Sequence, residues 1–457
     1  MKRGAIAGGA IVFFLLAVVA GYRAFERDVV PAAATPSAIP PPPAPAAGEK
    51  EAAEALAKAN PGFLYGRVTT NGGSTYEGRL RWGDGEEGFW GDYFNGAKQG
   101  NNWAAQVPLE RLPKERSQLE IFGFVFPAKE RPIGLGRPFM ARFGDIARIE
   151  AQGLDVRVTL KSGTVFDLDR LEASDFDDGV RVWEDGRRSV ALGAGQIHTI
   201  DLLPTARLGA APNRLHGTVR TRRGDFSGFL QWDRKDCVGS DILEGRTGDG
   251  ELGLRFDTLR SIARHSPDSS RVTLLDGREV VLSGNRQVGD GNRGIYVDDQ
   301  RYGRVLISWD AFERVDFSPG GSGPAYDSFP PGRPLTGSVT TRAGRRLAGR
   351  LVYDLDESET TDTLDAPSQG VDYTLPFGLV ASIALPGGEQ RGPRRASVTL
   401  HTGEQLELEL TGDLGEGNAG LLVFVDGRQS PEYVPWGDVK RVDIDRPPAM
   451  YPPLGGG

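Results

Sequence analysis

The chain has 457 residues, too many for one compact core, and its 39% hydrophobic content marks a folding sequence rather than a disordered one. Sixty-three glycines and 31 prolines leave little room for long helices and favour many short strands joined by turns. A net charge of -8 argues against neutralising a phosphate backbone as the main task, and the single cysteine, Cys237, excludes an intramolecular disulfide and a cysteine-based zinc site.

Met1-Lys2-Arg3 is followed by uncharged residues from Gly4 to Tyr22, strongly apolar between Ala10 and Ala20. This pattern predicts an export signal over 1–22, a hydrophobic helix that is either cleaved or kept as a membrane anchor. Val18-Val19-Ala20 would serve as a cleavage site, while the length of the run, just enough to span a bilayer, favours the anchor. Lys2 and Arg3 keep that end in the cytoplasm, so the body is expected outside it, anchored at the bacterial inner membrane or released to the periplasm or exterior. Residues 23–60 follow as a linker: Pro31 to Ala47 is nearly all proline and alanine and stays extended, and Glu49 to Lys58 reads as a short helix.

Self-comparison then organises the rest. Gly66-Arg-Val-Thr-Thr through Gly78-Arg-Leu-Arg-Trp82 returns as Gly217-Thr-Val-Arg-Thr through Gly228-Phe-Leu-Gln-Trp232, and again as Gly337-Ser-Val-Thr-Thr through Gly349-Arg-Leu-Val-Tyr353. Each copy closes with Phe-x-x-apolar-x-x-Ile, at Phe143 to Ile149, Phe256 to Ile262 and Phe377 to Ile383. A second segment type opens with Val158-Thr-Leu, Val272-Thr-Leu and Val398-Thr-Leu, each continuing x-x-Gly-x-x-x-x-Leu. Its tail is Trp-x-x-apolar-x-x-Val-Asp at Trp309 and Trp436, eroded in the first copy to Ile197-His-Thr-Ile-Asp201. The expected domains are repeat 1 over 61–204, repeat 2 over 205–330 and repeat 3 over 331–446, with a disordered tail at 447–457.

Alternating apolar and β-branched residues separated by glycine turns predict short strands, with hairpins at the Val-Thr-Leu-x-x-Gly phrases. One helical turn is expected before each closing strand. About five strands in about 50 to 60 residues is the size of a small barrel. These phrases resemble the Sm-like and SH3-like small β-barrels, whose first hairpin reads apolar-x-apolar-x-x-Gly-x-x-x-x-Gly-x-apolar and whose last strand follows a short turn. The resemblance implies a mainly β fold of three tandem repeats, each of two small SH3/Sm-like barrel segments. The Arg-Gly pair that helps Sm proteins bind RNA is missing from the Phe-x-x-apolar-x-x-Ile tails, so the fold is carried over and nucleic-acid binding is not.

The copies differ in one place. The spacing from Trp232 to Phe256 and from Tyr353 to Phe377 is 24 residues, whereas Trp82 to Phe143 is 61, so the first copy carries an insertion of 37 residues between Gly83 and Met140. Inserted material is a common seat of binding. This one is rich in aromatics: Phe89, Trp90, Tyr93, Phe94, Trp103, Phe122, Phe124, Phe126 and Phe139, with Glu86, Glu87 and Asp92 interleaved. Trp90, Asp92, Tyr93, Phe94 and Trp103 are therefore the candidate ligand-binding residues, for a glycan or peptide held by stacking and hydrogen bonds. Glycines and asparagines around Trp90, Tyr93 and Trp103 point to exposure, while alternation of Phe122, Phe124 and Phe126 points to a strand face and a local core.

Tryptophans recurring at one position (Trp82, Trp232, with Tyr353) or another (Trp309, Trp436) read as core or interface anchors; Trp183 fits neither set. His198, His216, His265 and His401 are scattered over different copies and predict surface or strand roles. Cys237 reads as a small buried residue. Asp354, Asp356, Ser358, Thr360, Asp362 and Asp365 have the spacing of a calcium loop, but Glu359 stands where glycine is needed, so a solvated acidic turn is expected and no metal or cofactor is assigned. The functional expectation is a non-enzymatic envelope scaffold or binding protein, its membrane contact made by the N-terminal segment and its partner an envelope glycan or protein. A carboxylate-dependent glycan hydrolase using acids of the insertion is the second reading, and Sm-like nucleic-acid binding, which would need a basic ring, the third.

Overall fold

The structure, a computed structural model, describes residues 60–448 apart from 84–87, 109, 113, 122–123, 133–137, 171–173, 185–188, 207–211 and 388–393; along 114–132 it describes the backbone alone. The expected signal or anchor, nearly all of the 23–60 linker and most of the C-terminal tail lie outside the described residues. Among those described, no helix is long and apolar enough to cross a membrane.

The fold is mainly β. The first stretch contains β1 (Tyr65–Thr70), β2 (Thr75–Trp82), β3 (Tyr93–Ala97), β4 (Lys114–Ile121), β5 (Phe124–Pro132), β6 (Pro138–Arg142), β7 (Ile146–Gln152), β8 (Asp155–Leu160), β9 (Val165–Asp169), β10 (Val180–Trp183), β11 (Val190–Leu192) and β12 (Ile197–Leu202). In the second are β13 (His216–Thr221), β14 (Gly224–Gln231), β15 (Ile242–Thr247), β16 (Gly250–Arg255), β17 (Leu259–Ser266), β18 (Ser269–Leu274), β19 (Glu279–Ser283), β20 (Ile295–Asp299), β21 (Gly303–Ile307) and β22 (Phe312–Phe317). The third has β23 (Thr336–Thr341), β24 (Arg346–Val352), β25 (Thr363–Ser368), β26 (Val371–Pro376), β27 (Val380–Ala384), β28 (Arg395–Leu400), β29 (Gln405–Glu409), β30 (Leu421–Phe424), β31 (Glu432–Val434) and β32 (Val439–Ile444).

The strand order corresponds in all three stretches: β11-β10-β2-β1-β12-β7-β8-β9, then β21-β20-β14-β13-β22-β17-β18-β19, then β31-β30-β24-β23-β32-β27-β28-β29. An apolar row crosses each sheet at the same register. In the second stretch Val219, Val315, Ile262 and Val272 are successive partners; the row is Val68, Ile200, Ile149 and Val158 in the first and Val339, Val442, Ile383 and Val398 in the third. All twelve are buried. Val158, Val272 and Val398 are the residues of the Val-Thr-Leu phrases, and the glycine of each phrase, Gly163, Gly277 or Gly403, takes the positive φ that its hairpin turn needs. Each Phe-x-x-apolar phrase forms one 3-10 turn, Phe143–Asp145, Phe256–Thr258 and Phe377–Leu379, directly before a strand.

The hydrogen bonding differs from a row of separate five-stranded barrels, because the sheets are open and the two segments of each stretch share one sheet. In the second stretch the first half (β13 to β17) and second half (β18 to β22) trade strands: β22 inserts between β13 and β17, β14 pairs with β20, and β15 reaches β19 at Arg246 and Ser283. Interchanging the halves strand for strand turns the order β16-β15-β19-β18-β17-β22-β13-β14-β20-β21 into its own reverse. The place beside each half's first strand is thus taken by the other half's last strand. Recurrent glycines permit this close approach. Gly217 faces Gly228 across β13 and β14, and a Cβ would lie 2.4 Å from the Asp316 carbonyl oxygen at the first and 1.9 Å from that of Asp298 at the second.

The stretches also join one another. β21 pairs with β26, so the second and third share a twelve-stranded sheet. Tyr326 and Phe329, from the connection between them, pack into the core of the first, where the Tyr326 hydroxyl donates to the Ile146 carbonyl at 2.7 Å. The recurring aromatics are core anchors, as expected: Trp82, Trp232 and Tyr353 are almost wholly buried against Phe143, Phe256 and Phe377, and Trp309 and Trp436 meet Trp232 and Tyr353 edge to face. Trp232→Ala is expected to cost about 3–5 kcal/mol by emptying this site, read as a lowered urea midpoint; a loss under about 1 kcal/mol would contradict the anchoring role.

Candidate functional site: the insertion and the Asp92 junction

The insertion enters between the third and fourth strands of the first half. In the second and third stretches those strands form tight hairpins, β15 with β16 and β25 with β26. Their counterparts β3 and β6 still pair, from Tyr93 opposite Arg142 to Ala97 opposite Pro138, but residues 98–137 stand where the short turn would be. Within that segment are a 3-10 turn, Ala104–Gln106, and the β4–β5 hairpin.

The candidate ligand-binding residues are mostly inside. Trp90, Asp92 and Phe94 are fully buried and Tyr93 is 3% exposed, which corrects the expectation that Trp90 and Tyr93 lie at the surface. The glycines read as signs of exposure instead allow close packing: a Cβ on Gly91 would sit 3.3 Å from the Asp298 carboxylate. The Trp90 indole N–H donates to the Pro61 carbonyl and the Thr205 hydroxyl, both at 3.1 Å, and its ring lies 4.5 Å from that of Tyr326. Phe94 packs edge to face on Trp82 and Phe143. Phe89 and Phe139 are buried as well, Phe122 lies outside the described residues, and Phe124 and Phe126 fall on β5 as the alternating pattern predicts.

Asp92 is the electrostatic centre. One carboxylate oxygen accepts from the backbone N–H groups of Gly88 at 2.8 Å and Phe89 at 3.0 Å. The other accepts from Arg304 at 2.9 Å, Gln231 at 2.9 Å and, at 3.4 Å, Arg214. Arg214 and Arg304 also bridge Asp298, at 2.6 and 3.1 Å. Two guanidiniums and two carboxylates thus balance inside the junction of the first and second stretches. Arg214 lies between the rings of Phe89 and Phe229, at 4.5 and 4.8 Å, and Arg304 lies 4.8 Å from the Tyr93 ring. Burial alone would lower the Arg304 pKa, but Asp298 and Asp92 outweigh it and hold the group above its ordinary range. An acid so enclosed has no access to a saccharide, which removes Asp92 from an acid/base pair.

Asp92 belongs to a recurring feature. Asp241 accepts from the N–H groups of Cys237 and Val238, and Asp362 from those of Ser358 and Glu359, both in the same geometry. Only Asp92 adds a second oxygen turned to arginines. The sequence holds the signal, an aspartate nine residues after Trp232 and after Tyr353 and ten after Trp82.

Residues 98–112 of the insertion dock on the third stretch. Ala104, Val107 and Leu112 are buried against Val352, Leu355, Ala419, Leu422 and Tyr433. Trp103 is half-buried, 5.9 Å from the Phe424 ring and 5.2 Å from the Arg350 guanidinium. Asn101 donates to the Leu355 carbonyl at 2.8 Å, Arg111 to that of Tyr433 at 3.3 Å, and Lys98 pairs with Asp356 at 2.8 Å. Trp103 is therefore an interface residue rather than a free platform.

The acidic run of the third stretch lies beside this contact, and Asp354, Asp356 and Glu359 are buried in place of the solvated turn expected. Asp354 accepts from the Ala419 N–H, Asp356 from Lys98, and Asp365 from the Thr363 hydroxyl. Among the described residues no group of three His, Cys, Asp or Glu is placed to hold a metal ion. Burial pushes the Asp362 carboxyl up to about 6 against the pull of Lys98, and burial together with Asp365 pushes Asp413 up to about 8. Cys237 is buried, and that burial pushes its thiol up to about 12, which leaves it unreactive. Comparison of the chain with known family models, curated proteins and solved structures finds no match.

Asp92→Ala strands two buried guanidiniums and is expected to cost about 3–5 kcal/mol. Asp241→Ala strands only two amides and should cost about 1–3 kcal/mol. Urea unfolding of both variants checks the order, and equal losses would contradict the Asp92 junction. Carboxyls raised in the folded state contribute stability that is full below their ordinary pKa near 3.8 and is lost as pH rises through the folded value, about 8 for Asp413. The thermal midpoint should accordingly fall between pH 4 and 8, and Asp413→Asn should flatten that slope; an unchanged slope would contradict the assignment.

Proposed function

We propose that the chain is a non-enzymatic cell-envelope scaffold or binding protein. In this reading it carries three tandem copies of one module, each a pair of small SH3/Sm-like barrel segments with strands exchanged between them. The apolar segment 1–22 tethers or exports it, and the 23–60 linker holds the body away from the membrane for an envelope glycan or protein partner.

One observation carries the scaffold part. The chain's most unusual chemistry, the buried Asp92 junction and the aromatic insertion, is directed inward and joins the first stretch to the second and the third. Side chains committed to holding three stretches in a fixed relation support a rigid platform rather than a cleft that works on a substrate. The envelope location rests on the sequence of the N-terminal segment.

Two experiments test the reading. Replacing residues 98–137 by Asn-Gly should leave a folded chain whose first stretch becomes more easily cleaved by protease and whose radius of gyration rises in small-angle scattering; unchanged values would remove the clamp. Purified protein lacking residues 1–47 should sediment with cell-wall material or retain an envelope protein from a membrane extract, and failure in both would sink the binding role.

A further inference from the structure

The direct joint between the second and third stretches is one strand laid on another. β21 lies on β26, with Leu306 opposite Asp372 and Arg304 opposite Thr374. In a hairpin closed by a two-residue turn, the residues flanking the turn bond to each other, and those at the alternate positions turn their N–H and C=O groups to the outer edge. Ser368 and Val371 flank the turn of β25 and β26, which puts Asp372 and Thr374 on the edge that β21 fills. Side chains seal the joint too: Val305 and Ile307 of β21 and Val371 and Tyr373 of β26 are buried.

The shared strand order gives β21 two counterparts, β11 and β31, and gives β26 two, β6 and β16. Two of these four edges are blunted. On β31 the carbonyl of Tyr433, the counterpart of Leu306, accepts from Arg111 of the insertion at 3.3 Å. On β6 the place of Asp372 is held by Pro138, which has no N–H to offer. β11 and β16 have neither device. Thr247 and Gly250 flank the turn of β15 and β16, so Glu251 and Gly253 turn outward, and Ala191 is the counterpart of Leu306 on β11. Both strands end their sheets, and among the described residues no strand pairs with their outer sides. Val190 and Leu252, the counterparts of the buried Val305 and Tyr373, are only partly buried.

We propose that β11 of one copy of this chain adds to β16 of a second copy, repeating between molecules the joint that β21 and β26 make within one. In that register Ala191 lies opposite Glu251, and Val190 lies opposite Leu252, so the contact covers both half-exposed apolar residues. A second copy is the fitting occupant because the chain leaves one edge of each kind open, in a register it already uses once. The two edges differ, so the contact is heterologous: every added copy presents a fresh edge, and the assembly is an open row rather than a closed pair. β11 has three residues against five in β21, so association is weak and depends on concentration. The inference rests on the strand correspondence alone and is independent of the envelope reading.

The test is sedimentation velocity of the full chain in mild detergent, from micromolar to near-millimolar concentration. The parent should grow past the mass of two chains without a plateau. Ala191→Pro and Gly253→Pro each remove one outward N–H and should weaken self-association at least about tenfold. Each variant keeps the edge that the other lacks, so an equal mixture should form pairs and stop at two chains. Should a proline variant fail to fold, Val190→Lys and Leu252→Lys place a charge at each edge without altering the backbone, and the same mixing applies. A parent that stays at the mass of one chain overturns the proposal. So does a parent that stops at two chains, which would mean like edges pairing across a two-fold axis, or a mixture of single-edge variants that does not pair.

Discussion

Moving Asp92 out of its junction would leave Arg214 and Arg304 facing Asp298 alone, a net charge enclosed where water cannot screen it. That penalty constrains the chain beyond the junction. Asp92 immediately precedes β3, the strand paired with β6, and between the two emerges the insertion that reaches the third stretch. With Asp92 fixed, Lys98, Asn101, Trp103 and Arg111 are delivered to the face formed by Asp356, Leu355, Phe424 and Tyr433. The second and third stretches meet directly through β21 and β26. Each stretch therefore contacts both of the others, and none can shift without breaking a buried contact.

Within each stretch the same economy operates at the level of strands. A five-stranded segment left alone would expose the edge of its first strand, an invitation to pair with a stranger. Here the other half's last strand covers it, and glycine pairs such as Gly217 and Gly228 let the neighbouring backbones approach where a side chain would collide. Large aromatics then fill the space so enclosed. Trp232 gathers Phe256, Trp309 and Phe312 around it, residues from both halves, so the repeated phrases of the sequence are the two sides of one core.

Much of this was legible in the sequence and part of it was not, for physical reasons. The Val-Thr-Leu strands, their glycine turns and the helical turn after each recurring Phe follow from local spacing, and the structure has them at those residues. Pairing of β13 with β22 is a long-range choice with no local signature, so nothing in either phrase announced the exchange of strands between halves. The insertion was visible as extra length, and its aromatic content marked it as unusual. Its direction was misread at Trp90 and Tyr93, because small neighbours that suggest a loop at the surface serve equally for tight packing inside. Trp183, which belonged to no repeat position, turns out to flank Arg79. A residue outside the repeat's pattern is free of the repeat's packing duties, and in that sense its isolation was itself the signal.

The account stands on the three stretches behaving as one body, and hydrogen exchange followed by mass spectrometry through a urea series measures this directly. Backbone amides of β1, β13 and β23, one central strand from each stretch, should lose protection together at a single urea concentration. Loss of protection in β1 well before β13 and β23 would show that the buried charges do not bind the first stretch to the rest, and would contradict the account.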